Sequence, residues 1–155
     1  MKMRRDEVVW LVLSFGILIG AMFITGYQTF ALGMGPPSGM ETIDSQKVDE
    51  TAPFDNPGLK QIGENEYELV MTLQIFSFTP NNIEIPAGAT VHFIMTSKDV
   101  IHGIQIAGTN MNAMVTPGHI QRITQKFDTP GEYLVLCNEY CGVGHQLMAT
   151  TITVK

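Results

Sequence analysis

Hydrophobic and polar positions divide the chain into three stretches with different patterns. From Val8 to Leu32 no residue carries a charge. A helix rises about 1.5 Å per residue, so roughly 20 apolar residues cross a bilayer core about 30 Å thick. This stretch is long enough to do so, and Trp10 and Tyr27 near its ends suit the interfacial aromatic belts. Residues 33–65 lack apolar periodicity and hold Pro36, Pro37, Pro53 and Pro57, which reads as a linker. From Tyr67 the period becomes two. Tyr67, Leu69, Met71, Leu73 and Ile75 alternate with Glu68, Thr72 and Gln74, predicting a half-buried strand. Asn81-Asn82 and Pro86-Ala87-Gly88 mark turns around Ile83-Glu84-Ile85. Further strands are expected at 90–96, 101–107, 111–115, 119–127, 132–137 and 147–154, with Tyr133 to Leu136 covered on both faces. Short strands between turns predict an all-β antiparallel sandwich or barrel after one N-terminal transmembrane helix. The expected division is 1–7 cytoplasmic N-terminus, 8–32 transmembrane helix, 33–65 linker and 66–155 β domain.

Charge sets an orientation for this plan. Lys2, Arg4 and Arg5 precede the helix and no basic residue follows it until Lys47, so the N-terminus is expected in the cytoplasm and the β domain outside. A cleaved signal peptide is the competing reading, with Ala31-Leu32-Gly33 as its small-residue site. Its apolar region would normally run about 7–15 residues, however, and this one is longer. From Gly33 onward there are thirteen acidic and six basic residues, a net of −7 with histidine neutral. That balance disfavours nucleic acid. It suits either plain solubility or electrostatic steering of a basic protein partner.

The chemistry is concentrated near the C-terminus. Cys137-Asn-Glu-Tyr-Cys141-Gly-Val-Gly-His145-Gln-Leu-Met148 places two thiols, an imidazole and a thioether at C-x3-C-x3-H-x2-M spacing. These are soft ligands of the kind that select copper. A mononuclear blue-copper centre needs one cysteine, two histidines and an axial methionine, so one thiolate is in excess. Two cysteines can instead bridge two copper ions, with a second imidazole from His102 in Asp99-Val-Ile-His102-Gly103. Three other readings stand beside this one. They are a disulfide, a mononuclear site that leaves Cys137 idle, and a thioredoxin-like C-x3-C chaperone, which would open a helix where this sequence predicts strands.

The stretch Asp99 to His102, Pro130-Gly131-Glu132-Tyr133 and the block Cys137 to Met148 resemble subunit II of the haem-copper cytochrome c oxidases. The likeness runs from about Leu69 to Lys155 and is nearest to the short, single-helix variety. The resemblance implies a cupredoxin-like Greek-key barrel or sandwich holding a dinuclear CuA centre. It implies as ligands His102, Cys137, Cys141, His145, Met148 and the backbone carbonyl of Glu139. It further implies a prokaryotic plasma-membrane protein that takes electrons from a c-type cytochrome. These would pass to haem in subunit I, where oxygen is reduced and protons are pumped. In related subunits an aromatic residue, often tryptophan, receives the electron. The single tryptophan here is Trp10 in the anchor, so Phe76 and Phe78 are the candidates for where electrons enter. Glu139 also matches a position whose carboxylate binds magnesium at the contact with subunit I in many oxidases. His92 and His119 read as surface residues, and Met71 and Met95 as core. The alternative function is a membrane-anchored copper-binding or carrier protein without an oxidase.

Overall fold

The computed structural model describes residues 3–32 and 41–155 of the 155-residue chain. Helix α1 (Arg5–Phe30) forms one compact unit with no buried residue, and the β domain forms another. Twenty-six residues span about 39 Å at the ordinary helical rise. The Arg4 backbone N–H donates to Glu7 Oε2 at 2.9 Å, and Asp6 and Glu7 complement the positive end of the helix dipole.

Ten strands build the β domain: β1 (Gly58–Gly63), β2 (Glu66–Gln74), β3 (Ser77–Thr79), β4 (Ile83–Ile85), β5 (Ala89–Ser97), β6 (His102–Ile106), β7 (Asn112–Val115), β8 (Gln121–Phe127), β9 (Gly131–Leu136) and β10 (Ala149–Val154). One sheet runs β1-β2-β5-β8, with β3 on the end of β2; the other runs β4-β10-β9-β6-β7. Alternate residues of β2 and β5 (Leu69, Met71, Leu73, Val91, Phe93, Met95) enter one core with Ile104, Ile106, Val135, Ile152 and Val154 of the second sheet. Met71 and Met95 are therefore core residues, as their phase in the sequence predicts.

Three expectations need correction. The domain is not uniformly antiparallel, because β2 pairs β5 in parallel from Glu66↔Thr90 to Leu73↔Ser97, and β10 pairs β4 in parallel. Between β2 and β5 the chain crosses to the second sheet to place β4, and a crossover of this kind is what parallel pairing requires.

The stretch 41–65 is not a bare linker. Thr42 bridges His119, and β1 pairs antiparallel with β2 around Asn65 (φ 57°). Ile43, Val48 and Phe54 are buried on Val70, Ile94 and Ile120, covering the outer face of the first sheet. Three scattered apolar anchors have no period, which is why the pattern missed them. The linker residues 33–40 lie outside the described residues.

Finally, β9 is covered on one face, not two. Val135 is fully buried while Leu134 is 46% exposed. The short strand β3 and the parts of β1 were likewise not expected from the sequence pattern.

Candidate metal centre

His102 opens β6 with a fully buried imidazole. Its Nε2–H donates to Asp99 Oδ1 at 2.8 Å. That bond fixes the tautomer and leaves the Nδ1 lone pair free, 3.8 Å from Cys137 Sγ. Asp99 itself accepts from the backbone N–H of Ile75 and of Val100, each at 2.7 Å. Burial alone would raise the Asp99 pKa, but these amides and His102 together hold it below the ordinary carboxylate value. The residue that orients His102 went unassigned in the sequence, although the Asp-x-x-His spacing contained it.

The other donors come from one loop, pinned at both ends. Cys137 follows β9 directly, and its N–H donates to the Met148 carbonyl at 3.1 Å. Within the loop, His145 N–H bonds the Gly142 carbonyl at 3.0 Å and Leu147 N–H bonds Gly144 at 2.9 Å, forming the short 3-10 turn His145–Leu147. Gly142 has φ of 134°, a conformation that side chains disfavour.

The Sγ atoms of Cys137 and Cys141 are 3.8 Å apart, well beyond the roughly 2.05 Å of a disulfide, and both thiols are free. One imidazole lies against each sulfur, His102 against Cys137 and His145 Nδ1 against Cys141 at 3.6 Å. The Glu139 carbonyl is 3.3 Å from Cys137 Sγ, and Met148 Sδ is 3.8 Å from Cys141 Sγ. His102, Cys137 and Cys141 present ligand atoms all within 4.8 Å of one another. Burial, with Cys137 adding to it, pushes the Cys141 thiol up to about 11. The donor set is paired sulfurs, flanking imidazoles, a thioether and a carbonyl. It matches the soft-metal chemistry that suits copper.

The two aromatic candidates separate. Phe78 is 3% exposed in the core and offers no route to the surface. Phe76 is half-buried and lies across the ligand loop, so close that a Cβ on Gly144 would sit 2.6 Å from its ring. His119 is exposed, and His92 is half-exposed with Nδ1 2.8 Å from Thr124 Oγ1, so neither joins the cluster.

Relatives of the chain agree with this architecture. The sequence profile of the family described as "Cytochrome C oxidase subunit II, periplasmic domain" matches residues 65–155. A Thermus thermophilus protein named cytochrome c oxidase subunit 2 is 39% identical over 153 residues, covering 96% of this chain and 91% of the relative. A second protein of that name from the same species is 41% identical over 129 residues, covering 82% and 96%. A chain of a haem-copper terminal oxidase dimer superposes with a TM-score of 0.84 at 34% identity, covering 97% of this chain and all of that one. The periplasmic domain of subunit II from Bradyrhizobium japonicum shares the fold at a TM-score of 0.53 and 18% identity, covering 57% and 83%. With the profile match spanning more than half its length, the chain belongs to the cytochrome c oxidase subunit II family.

Proposed function

We propose that this chain is the electron-input subunit of a terminal oxidase, holding a dinuclear CuA centre on His102, Cys137, Cys141, His145, Met148 and the Glu139 carbonyl. The observation that carries this reading is the pair of free sulfurs 3.8 Å apart with one imidazole against each. When bound, two coppers held by these residues would supply a one-electron carrier. The protein's part is rigidity. Both ends of the ligand loop are hydrogen-bonded to each other, and His102 is clamped through Asp99, so the donors move little when charge changes. Burial of His102, Cys137, Cys141 and Met148 excludes water from the sulfurs.

The exposed face of the loop suits a protein donor. Tyr140, Val143 and Leu147 are 77%, 87% and 76% exposed, an apolar surface around His145 on which a c-type cytochrome can dock. Phe76, against Gly142 and Gly144, is the residue through which the electron enters. Subunit I receives it at haem, and the Glu139 carboxylate is this chain's contribution to magnesium at that contact. Helix α1 anchors the subunit in a prokaryotic plasma membrane with its N-terminus cytoplasmic, and the metal domain faces outward. The competing reading, a copper carrier, calls for ligands that release metal readily; these four are each under 8% exposed.

The test is copper reconstitution of the purified chain. Two coppers per protein with a mixed-valence paramagnetic resonance signal are expected. One copper per protein with a blue single-site spectrum would remove the dinuclear assignment.

A further inference from the structure

The two halves of the centre are brought together where the backbone ladder gives out. Strands β6 and β9 pair only at Gln105↔Leu136 and Ile106↔Val135, three residues short of His102. Beyond that point Cys137 turns toward β10 through its bond to Met148, not toward β6. No described backbone pairing therefore fixes the distance between His102 and Cys137.

Asn138 fills this gap. Its side chain lies on the buried Gly103 so closely that an ideal Cβ there would be 1.9 Å from Asn138 Oδ1 and 3.0 Å from the Glu139 backbone N. Its Nδ2–H donates to Asn112 Oδ1 at 2.8 Å, and Asn112 sits on β7 opposite Gln105 of β6. One side chain thus rests on the strand that carries His102 and is tied to that strand's neighbour. In sequence it lies between Cys137 and the Glu139 carbonyl, so any shift of Asn138 displaces both. The need for glycine after His102 has the same cause, because no other residue leaves room for this amide.

We infer that Asn138 is a positioning residue of the metal centre, acting through Asn112 and Gly103 to set the His102–Cys137 separation without touching the metal. The inference rests on the copper reading above, and one readout is chosen to be independent of it. The experiment compares Asn138→Ala, Asn112→Ala and the double variant of the full chain in detergent. It follows the copper absorption and paramagnetic resonance spectra, the loss of copper to a chelator and the melting temperature of the metal-free protein. In the metal-free protein it also follows cross-relaxation between the His102 ring and the Cys137 β-protons.

Both single variants should shift the copper spectra and weaken copper retention about tenfold, the typical effect of an outer-shell partner. The double variant should be no worse than Asn138→Ala alone, because that change already removes the bond to Asn112. Metal-free melting should hardly move, since Asn138 and Asn112 are exposed. Unchanged spectra and retention in Asn138→Ala would overturn the inference. So would additive effects, or a fall in melting temperature without a spectral shift. If the wild-type chain took up no copper pair, the copper reading would fall while cross-relaxation still decided this one: its loss in Asn138→Ala supports the positioning role, and its survival refutes it.

Discussion

His102 and Asp99 are joined by a 2.8 Å hydrogen bond from Nε2 to Oδ1, which leaves Nδ1 facing the sulfur of Cys137. The same carboxylate gathers the Ile75 and Val100 amides, so it ties the segment before Phe76 to the segment before His102. Asp99→Ala should weaken copper retention by about tenfold, with Asp99→Asn less severe because an oxygen acceptor remains. The measurement is copper loss to a chelator. The folded Asp99 pKa is lowered, so its contribution to stability is present above the ordinary carboxylate value and is lost as pH falls through the lower folded value. Acid unfolding of the metal-free protein should therefore be less steep below about pH 4 in Asp99→Asn. An identical acid profile would mean that the bond contributes nothing to folding.

Phe76 and Gly144 are in similarly close relation. Gly144 has φ of −101°, so alanine there meets no backbone strain, only the ring of Phe76 at 2.6 Å. Gly144→Ala should cost about 1–3 kcal/mol by overpacking and disturb the copper spectrum. Adding Phe76→Ala should restore the spectrum, and persistence of the defect in the double variant would argue against the contact.

Ligand substitutions should differ in severity. On the proposed dinuclear reading Cys137→Ser would remove a sulfur shared by both metals, and it should abolish the mixed-valence signal. Met148 is 1% exposed, and Met148→Leu conserves volume, so folding should change by less than about 1.5 kcal/mol. Copper should stay bound while the reduction potential rises. A mixed-valence signal surviving in Cys137→Ser would rule Cys137 out as a bridge.

Docking should be governed more by apolar contact than by charge. The loop 137–148 carries one charged residue, Glu139, beside exposed Tyr140, Val143 and Leu147, while the acidic excess belongs to residues 33–155 as a whole. The second-order rate of reduction by a basic cytochrome c should fall only modestly as the screening length shrinks from about 30 Å at 0.01 M salt to about 3 Å at 1 M. Val143→Asp should slow it with the copper spectrum unchanged. A steep salt dependence, with Val143→Asp indifferent, would return the interaction to charge.

The segment covering the first sheet should contribute substantially to folding. Phe54 is fully buried against Val70 and Ile94, and Phe54→Ala should destabilise the domain by about 3–5 kcal/mol in denaturant unfolding. A loss under about 1 kcal/mol would return this stretch to the status of a linker.

The sequence by itself determined whatever is local. Cys137, Cys141, His145 and Met148 lie within twelve residues, so donors of soft-metal type were legible on one loop from residue types and spacing alone. The uncharged run from Val8 to Leu32 declared a long apolar helix, and alternation from Tyr67 to Leu73 declared a strand, but not that its second face, at Val70 and Thr72, is buried as well. What the tertiary structure decided depends on contacts between residues far apart in the chain. Pairing of β2 with β5 in parallel follows from a crossover that no periodicity records. Ile43, Val48 and Phe54 cover a sheet because its outer face is apolar at Val70 and Ile94, not because they form a pattern of their own. Phe76 and Phe78 are equivalent on paper, yet one lies on the ligand loop and the other in the core. Gly103 reads as one more position of an expected strand until Asn138, thirty-five positions later, is found resting on it. Ligand identity is written in side-chain chemistry, whereas the distance between ligands is set by packing, and packing exists only once the chain has folded.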